Sequence, residues 1–262
     1  MKIVTTQEKF KDLLEKLVMK DMFPSSVICV KDGKLFSIQK EQHARGLRFL
    51  NVKSSFFEKL EGNESIEIDA QRTLDIVKSI SPGTKLIVET KDNKLIIKKL
   101  MTDDKGNVIG EKGFTAIGWK EPETVITSLD QVKVHIKDGI PTVGDTKVQL
   151  QNHLTVDLSD FKELAGYGSS LKTEFYKFST NSNKLDVKIG GIHDFSDYDV
   201  EHPKSEIKAG SDLEVIFTYG IPQIAESFRE NVNVRTKSNC PGWFYESTKD
   251  YVLAVLIPPY IP

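Results

Sequence analysis

Thr5-Thr6-Gln7-Glu8-Lys9-Phe10-Lys11-Asp12-Leu13-Leu14-Glu15-Lys16-Leu17-Val18-Met19-Lys20-Asp21 and Leu154-Thr155-Val156-Asp157-Leu158-Ser159-Asp160-Phe161-Lys162-Glu163-Leu164-Ala165-Gly166-Tyr167-Gly168 decide how this chain is read. In the first stretch Phe10, Leu13, Leu14, Leu17 and Val18 follow i, i+3, i+4, i+7, i+8 spacing, one apolar stripe along a helix. Thr5 or Thr6 is placed to cap it. The second stretch predicts a strand and then a helix with Phe161, Leu164 and Ala165 on one face. Phe10-Lys11-Asp12-Leu13 matches Phe161-Lys162-Glu163-Leu164 at an offset of 151. Gly33-Lys34-Leu35 before His43 matches Asn183-Lys184-Leu185 before His193 at an offset of 150. Two matches at nearly one offset predict an internal duplication.

The elements around these stretches repeat in the same order. Residues 26–38, SVICVKDGKLFSI, read as a hairpin around Asp32-Gly33, and 84–100, TKLIVETKDNKLIIKKL, as another around Lys91-Asp92-Asn93. A short helix in AQRTLDIVKSI stops at Ser81-Pro82-Gly83. In the second half, TEFYKFSTNSNKLDVKIGGIHDF is a hairpin candidate and DLEVIFTY a strand. GIPQIAESFRENV is a helix carrying Ile221, Ile224, Ala225 and Phe228, and strands follow to the end. The spacing therefore predicts an α+β fold of two similar domains, 1–118 and 153–262, with 119–152 as connector.

Composition narrows the function. The 262 residues carry 36 Lys+Arg against 38 Asp+Glu, a net charge of −2, with 39% hydrophobic residues. That is enough to bury a core, and too balanced for a protein that coats nucleic acid over its whole surface. Two cysteines, Cys29 and Cys240, suit a reducing compartment rather than a disulfide scaffold. MKIVTTQEKF has no apolar signal region, and no apolar run approaches membrane-spanning length, so a soluble intracellular protein without membrane contact is expected. No catalytic or metal motif emerges: Gly166-Tyr167-Gly168-Ser169-Ser170 has the wrong order for a nucleophile elbow, and the five histidines lack ligand spacing. His193-Asp194 reads as a turn cap, and Asp103-Asp104-Lys105-Gly106-Asn107 as a hairpin turn rather than a calcium loop. Neither enzyme activity, cofactor nor metal is expected.

The four short helices carry scattered cations. Lys9, Lys16 and Lys20 share one stripe of the first, with Lys11 on its flank. Arg72 and Lys78 lie on the second, Lys162 on the third with Lys172 just beyond, and Arg229 at the fourth. Such residues suit phosphate contacts that read no bases. Taken alone, they suit an ordinary solvated helix face better.

On these features, on Asn239-Cys240-Pro241-Gly242-Trp243-Phe244-Tyr245-Glu246, on Asp250-Tyr251-Val252-Leu253-Ala254-Val255, and on Ile117-Gly118-Trp119-Lys120-Glu121-Pro122 followed by Thr124-Val125-Ile126, the chain resembles the DNA sliding clamps. The resemblance is to the two-domain subunits of PCNA and of T-even phage clamps, and covers nearly the whole chain as a pattern. It implies clamp-type domains of helices backed by antiparallel sheets, with three copies closing a six-domain ring around duplex DNA. It further implies a DNA polymerase and a clamp-loader ATPase as partners, and work at replication sites in the cytoplasm (the host's, if the protein is viral). By the same resemblance a partner peptide docks on His43, Leu47, Val125, Ile126, Leu129, Pro241, Val252, Ala254 and Val255. Val125, Ile126 and Leu129 read just as well as a plain core strand. Val255 departs from the PCNA pattern, which has proline there, and the apolar tail Leu256-Ile257-Pro258-Pro259-Tyr260-Ile261-Pro262 is an addition. That tail either covers the groove or is itself an anchoring peptide. A duplicated α+β scaffold or viral structural protein without DNA contact is the alternative to a clamp.

Overall fold

The structure is a computed structural model that describes residues 1–20, 22–41, 46–103, 108–171, 175–181, 184–191, 194–202, 206–208 and 213–261. The chain divides into two compact units. The first comprises Met1–Gln39, Leu50–Thr127 and Lys249–Tyr251; the second comprises Lys40–Phe49, Ser128–Thr248 and Val252–Pro262.

In chain order the first copy of the repeat runs β1 (Lys2–Thr6), α1 (Gln7–Val18), β2 (Ser25–Lys31), β3 (Lys34–Lys40), β4 (Leu47–Lys53), β5 (Lys59–Glu61), β6 (Glu64–Asp69), α2 (Ala70–Lys78), β7 (Lys85–Lys91), β8 (Lys94–Thr102) and β9 (Val108–Lys120). A three-stranded meander follows, β10 (Val134–Lys137), β11 (Ile140–Val143) and β12 (Val148–Gln149). The second copy runs β13 (Asn152–Val156), α3 (Leu158–Leu171), β14 (Phe175–Asn181), β15 (Lys184–Gly191), β16 (Asp194–His202), β17 (Glu206–Lys208), β18 (Glu214–Phe217), α4 (Ile221–Ser227), β19 (Val232–Thr236), β20 (Gly242–Ser247) and β21 (Tyr251–Ile257). The two lists match element for element, and so do the antiparallel pairings at the centre of each copy. β1 lies between β5 and β7, as β13 lies between β17 and β19. β2 lies between β3 and β6, as β14 lies between β15 and β18. The expected duplication is present in the topology itself.

Local chemistry accounts for the elements. The Thr6 hydroxyl accepts from the Lys9 amide, the Asp69 carboxylate from that of Arg72, and the Asp157 carboxylate from that of Ser159, so three helices begin on oxygen caps. The hairpin turns close on two residues with left-handed backbone: Asp32 and Gly33 (φ 51° and 70°), and Asp92 and Asn93 (φ 49° and 56°). That geometry matches the strand twist, which is why Asp, Asn and Gly sit there. The fourth helix is shorter than its apolar spacing predicts. Phe228 is extended (φ −80°, ψ 150°), and the buried Glu246 carboxylate accepts from the Arg229 and Glu230 amides at 2.7 and 2.9 Å.

The two cores differ in substance. The first is mainly aliphatic, with Leu13, Leu14, Leu17, Ile28, Val30, Ile66, Ile68, Val77, Leu86 and Val88 all buried. The second is aromatic: Phe178, Phe217 and Phe244 meet edge to face at centroid separations of 5.2 to 6.4 Å, with Phe161 against Phe244. Each buried ring or branched side chain stabilises by about 1.5–3 kcal/mol relative to exposure. No helix among the described residues is long and apolar enough to cross a membrane.

Candidate partner groove and helix faces

The cations expected to form one basic face have different fates. Lys9 is exposed; its Nζ donates to the Phe56 carbonyl at 2.8 Å and lies 5.5 Å from the Phe56 ring centre. Lys20, Arg72, Lys78, Lys162 and Arg229 are exposed, and Lys11 is half-exposed, 3.7 Å from Glu15. Lys172 lies outside the described residues. Lys16 corrects the sequence reading. Its side chain is only 1% exposed, its Nζ donates to Asp12 Oδ1 at 2.5 Å, and the ammonium sits 4.4 Å from the centre of the Tyr251 ring. A carboxylate and an aromatic face together compensate the buried charge, so Lys16 is structural and cannot reach a phosphate. The helix stripe stops short of Lys20, because α1 ends at Val18 and Lys20 has a left-handed backbone (φ 48°). It could not state that a tyrosine far along the chain covers Lys16.

The helices of the second unit are less cationic still. On α3, Asp160 and Glu163 outnumber Lys162, and α4 carries Glu226. Arg229 Nη1 donates to the carbonyls of Glu226 and Phe228 at 2.6 and 3.3 Å, which holds its guanidinium near the end of α4.

A cleft of about 230 Å³ opens in the second unit, lined by Lys40, Gly46, Leu47, Val132, Pro241, Leu256 and Pro258. Part of its lining follows from the period-2 alternation of β21. Tyr251, Leu253, Val255 and Ile257 are buried on one side, while Val252, Ala254 and Leu256 lie on the other. Leu256 pairs across the ladder with Trp243, whose ring packs on Phe49 at 6.5 Å. The lining is mainly proline and aliphatic side chains, with Lys40 the one charged residue among them, so the cleft suits an apolar anchor rather than a charged ligand.

Of the predicted groove residues, Leu47 and Pro241 line this cleft. Val252 and Ala254 share the strand face of Leu256, whereas Val255 is turned into the core. Leu129 is half-buried at the start of a 3₁₀ turn, Leu129–Val132, whose last residue is the one that lines the cleft. Val125 and Ile126 are half-buried in the irregular stretch of the first unit rather than in a core strand. His43 lies outside the described residues, as do His193 of the weak catalytic pair and residues 104–107 of the calcium-like loop. Val132, Leu256 and Pro258 were missed. Continuing the alternation from Ala254 reaches Leu256, so that signal was present in the sequence.

Cys29 is buried in β2, where Ser65 Oγ lies 3.2 Å from its sulfur and burial pushes the thiol pKa up, against reactivity. Among the described residues no group of three or more His, Cys, Asp or Glu is placed to hold a metal.

Two copies of a strand–helix–strands–helix–strands unit, each with two helices packed together and backed by antiparallel sheet, define the sliding-clamp fold. The solved structures agree. The chain is similar to PCNA from Entamoeba histolytica over 99% of its length and 98% of that chain, at TM-score 0.77 and 14% identity. It is similar to PCNA from Thermococcus kodakaraensis over 99% of both chains, at TM-score 0.74 and 16% identity. Similar matches reach the PCNA2–PCNA3 complex of Sulfolobus tokodaii (TM-score 0.74, 12% identity, 99% of both chains) and the A. fulgidus PCNA bound to the C-terminal region of FEN-1 (0.72, 13%, 100% of this chain and 98% of that one). No protein-family model matches the sequence, and no curated protein matches it. The fold of this chain is that of the PCNA sliding clamps.

Proposed function

We propose that the chain is the subunit of a DNA sliding clamp, a non-enzymatic processivity factor whose homotrimer encircles duplex DNA and tethers a replicative polymerase after a clamp-loader ATPase opens the ring. The likeness to PCNA along the whole chain carries this reading. We take 1–118 and 153–262 as its clamp domains and 119–152 as the connector. We place it at replication sites in the cytoplasm, that of the host for a phage or virus.

Three features support the reading. First, among the described residues β9 pairs with β8 along its length but with β6 only at Lys120 and Trp119, leaving an open strand edge that carries exposed Val108 and Ile109. β16 is the outer strand of its own sheet. Two different edges meeting head to tail between copies close a ring and remove both liabilities. Second, a topologically held duplex needs only diffuse phosphate attraction, which Lys9, Lys11, Lys20, Arg72, Lys78, Lys162, Lys172 and Arg229 would supply without Lys16. Third, the apolar cleft suits an extended peptide with apolar anchors, the role given to His43, Leu47, Leu129, Pro241, Val252 and Ala254 of the expected groove. The FEN-1 segment bound to the A. fulgidus clamp is a precedent for a replication-protein tail as occupant.

Light scattering on the purified protein tests the assembly. Three chains of 29.5 kDa give a particle of roughly 88 kDa, and primer extension on a long template with loader and cognate polymerase tests the activity. A protein that stays monomeric at high concentration and leaves product length unchanged would sink the proposal. The excess of acids over bases on α3 favours a second reading, a scaffold that never touches DNA. Lys9→Glu with Lys20→Glu separates the two: a clamp loses processivity and a scaffold is indifferent.

A further inference from the structure

The segment after β21 is not a loose tail. Residues 257–260, Ile-Pro-Pro-Tyr, occupy in the second copy the place that 117–120, Ile-Gly-Trp-Lys, occupy in the first. In the first copy this segment is tied down by two ladder pairs, Trp119 with Ile68 and Lys120 with Glu67, and by the Lys120–Glu67 ion pair at 3.2 Å. In the second, Pro258 and Pro259 have no N–H to donate. Tyr260 is the next residue able to donate, and its amide bonds the Ile216 carbonyl of β18 at 2.7 Å. Its ring stands edge-on against Phe175 at the start of β14, 5.1 Å between centres and 83° between planes. The two residues between this anchor and the sheet are prolines of fixed φ, so the position of Tyr260 is transmitted to Pro258 with little slack. Pro258 and Leu256 are a wall of the cleft.

We propose that Tyr260 is a positioning residue for this cleft, a latch that holds Leu256 and Pro258 as a preformed wall for the apolar anchor of a partner peptide. This rests on the groove reading above. When the latch is open, a peptide must order the wall as it binds, and its apparent affinity falls with the fraction of molecules in which the wall stands ready.

The test uses the full chain and a twelve-residue peptide selected by display on the wild-type protein and retained only if Leu47→Glu abolishes its binding. Affinity is read by fluorescence anisotropy, with thermal melting of each variant alongside. Tyr260→Phe keeps both the ring contact and the amide and should bind within twofold of wild type. Tyr260→Ala should bind roughly 3- to 10-fold more weakly, the scale of one lost edge-to-face pair. Phe175→Ala should weaken binding similarly, and the double variant should be no worse than the weaker single one, since both open one latch. Wild-type affinity in Tyr260→Ala, or losses that multiply in the double variant, would overturn the latch while leaving the groove intact. If no selected peptide depends on Leu47, the groove reading fails and the latch falls with it.

Discussion

The same eleven-element pattern is filled twice, and the fillings are complementary. The helix position occupied by Leu17 in α1 is occupied by Gly168 in α3, and the strand position of Ser26 in β2 by Tyr176 in β14. In the first unit the leucine is large and the serine small, with Ser26 Oγ donating to the Leu17 carbonyl at 3.2 Å. In the second the tyrosine is large, and a Cβ on Gly168 would run into its hydroxyl. Volume has moved from helix to strand while the sum stays near what close packing requires. Polar pairs follow the same logic: Asp12–Lys16 on α1 becomes Glu163–Tyr167 on α3, both at i, i+4 and both at 2.5 Å. Topology is held by strand alternation and helix period. Which side chain supplies the bulk, or the hydrogen bond, is free to change.

The largest effect should come from breaking the exchange of bulk. Gly168→Leu overfills the second core and should destabilise by more than about 3 kcal/mol in urea melts. Adding Tyr176→Ser, which recreates the pairing of the first unit, should recover much of that loss; no recovery would mean the positions are not exchanged partners. Next is the Tyr176 hydroxyl, which is buried with no hydrogen-bond partner among the described residues and whose pKa burial pushes up to about 12 from 10.0. A raised acid keeps its stabilising contribution below the unfolded value and loses it as pH climbs through the folded one. Stability should therefore fall by about 2–3 kcal/mol between roughly pH 10 and 12. Tyr176→Phe should remove that component of the pH profile, and at pH 7 it should be neutral or slightly stabilising.

Lys16→Ala strips Asp12 and Tyr251 of their cation and should cost about 1–3 kcal/mol, against about 0.5–1 kcal/mol for Tyr167→Phe at the matching position. Lys16→Met should leave processivity unchanged where Lys9→Glu reduces it; a processivity loss in Lys16→Met would restore Lys16 to the DNA-facing set. Smallest is Lys120→Ala. Its partnership with Glu67 is largely solvated, so denaturation should register at most about 1 kcal/mol.

Helices and hairpins were legible because a period of 3.6, a period of 2 and an Asp-Gly turn are all local. The α+β duplication followed from Phe10 and Phe161 opening the same helix face. What escaped depends on partners distant in sequence. Lys16 reads as a surface lysine from its helix alone, because the Tyr251 ring that covers it lies far along the chain. The spacing carries the fourth helix past Phe228 because nothing nearby in sequence reveals that Glu246 takes the next two amides. Ile257-Pro258-Pro259-Tyr260 read as an added tail because its kinship with Ile117-Gly118-Trp119-Lys120 rests on strand register rather than on shared letters. The β10–β11–β12 meander lies inside the connector, where Asp138-Gly139 (φ 52° and 74°) between Val-His-Ile-Lys and Ile-Pro-Thr-Val is a hairpin signal of the same kind as Asp32-Gly33.

The compact units are not two consecutive halves of the chain. Lys249–Tyr251 is counted with the first, and Lys40–Phe49 with the second. A fragment ending at residue 118 would lack Tyr251, leaving the Lys16 ammonium without its aromatic cover and Phe56 without the ring that meets it edge-on at 6.4 Å. Cleaving the backbone in the connector should therefore yield complementing fragments that are stable only together, a split protein rather than a pair of separable domains.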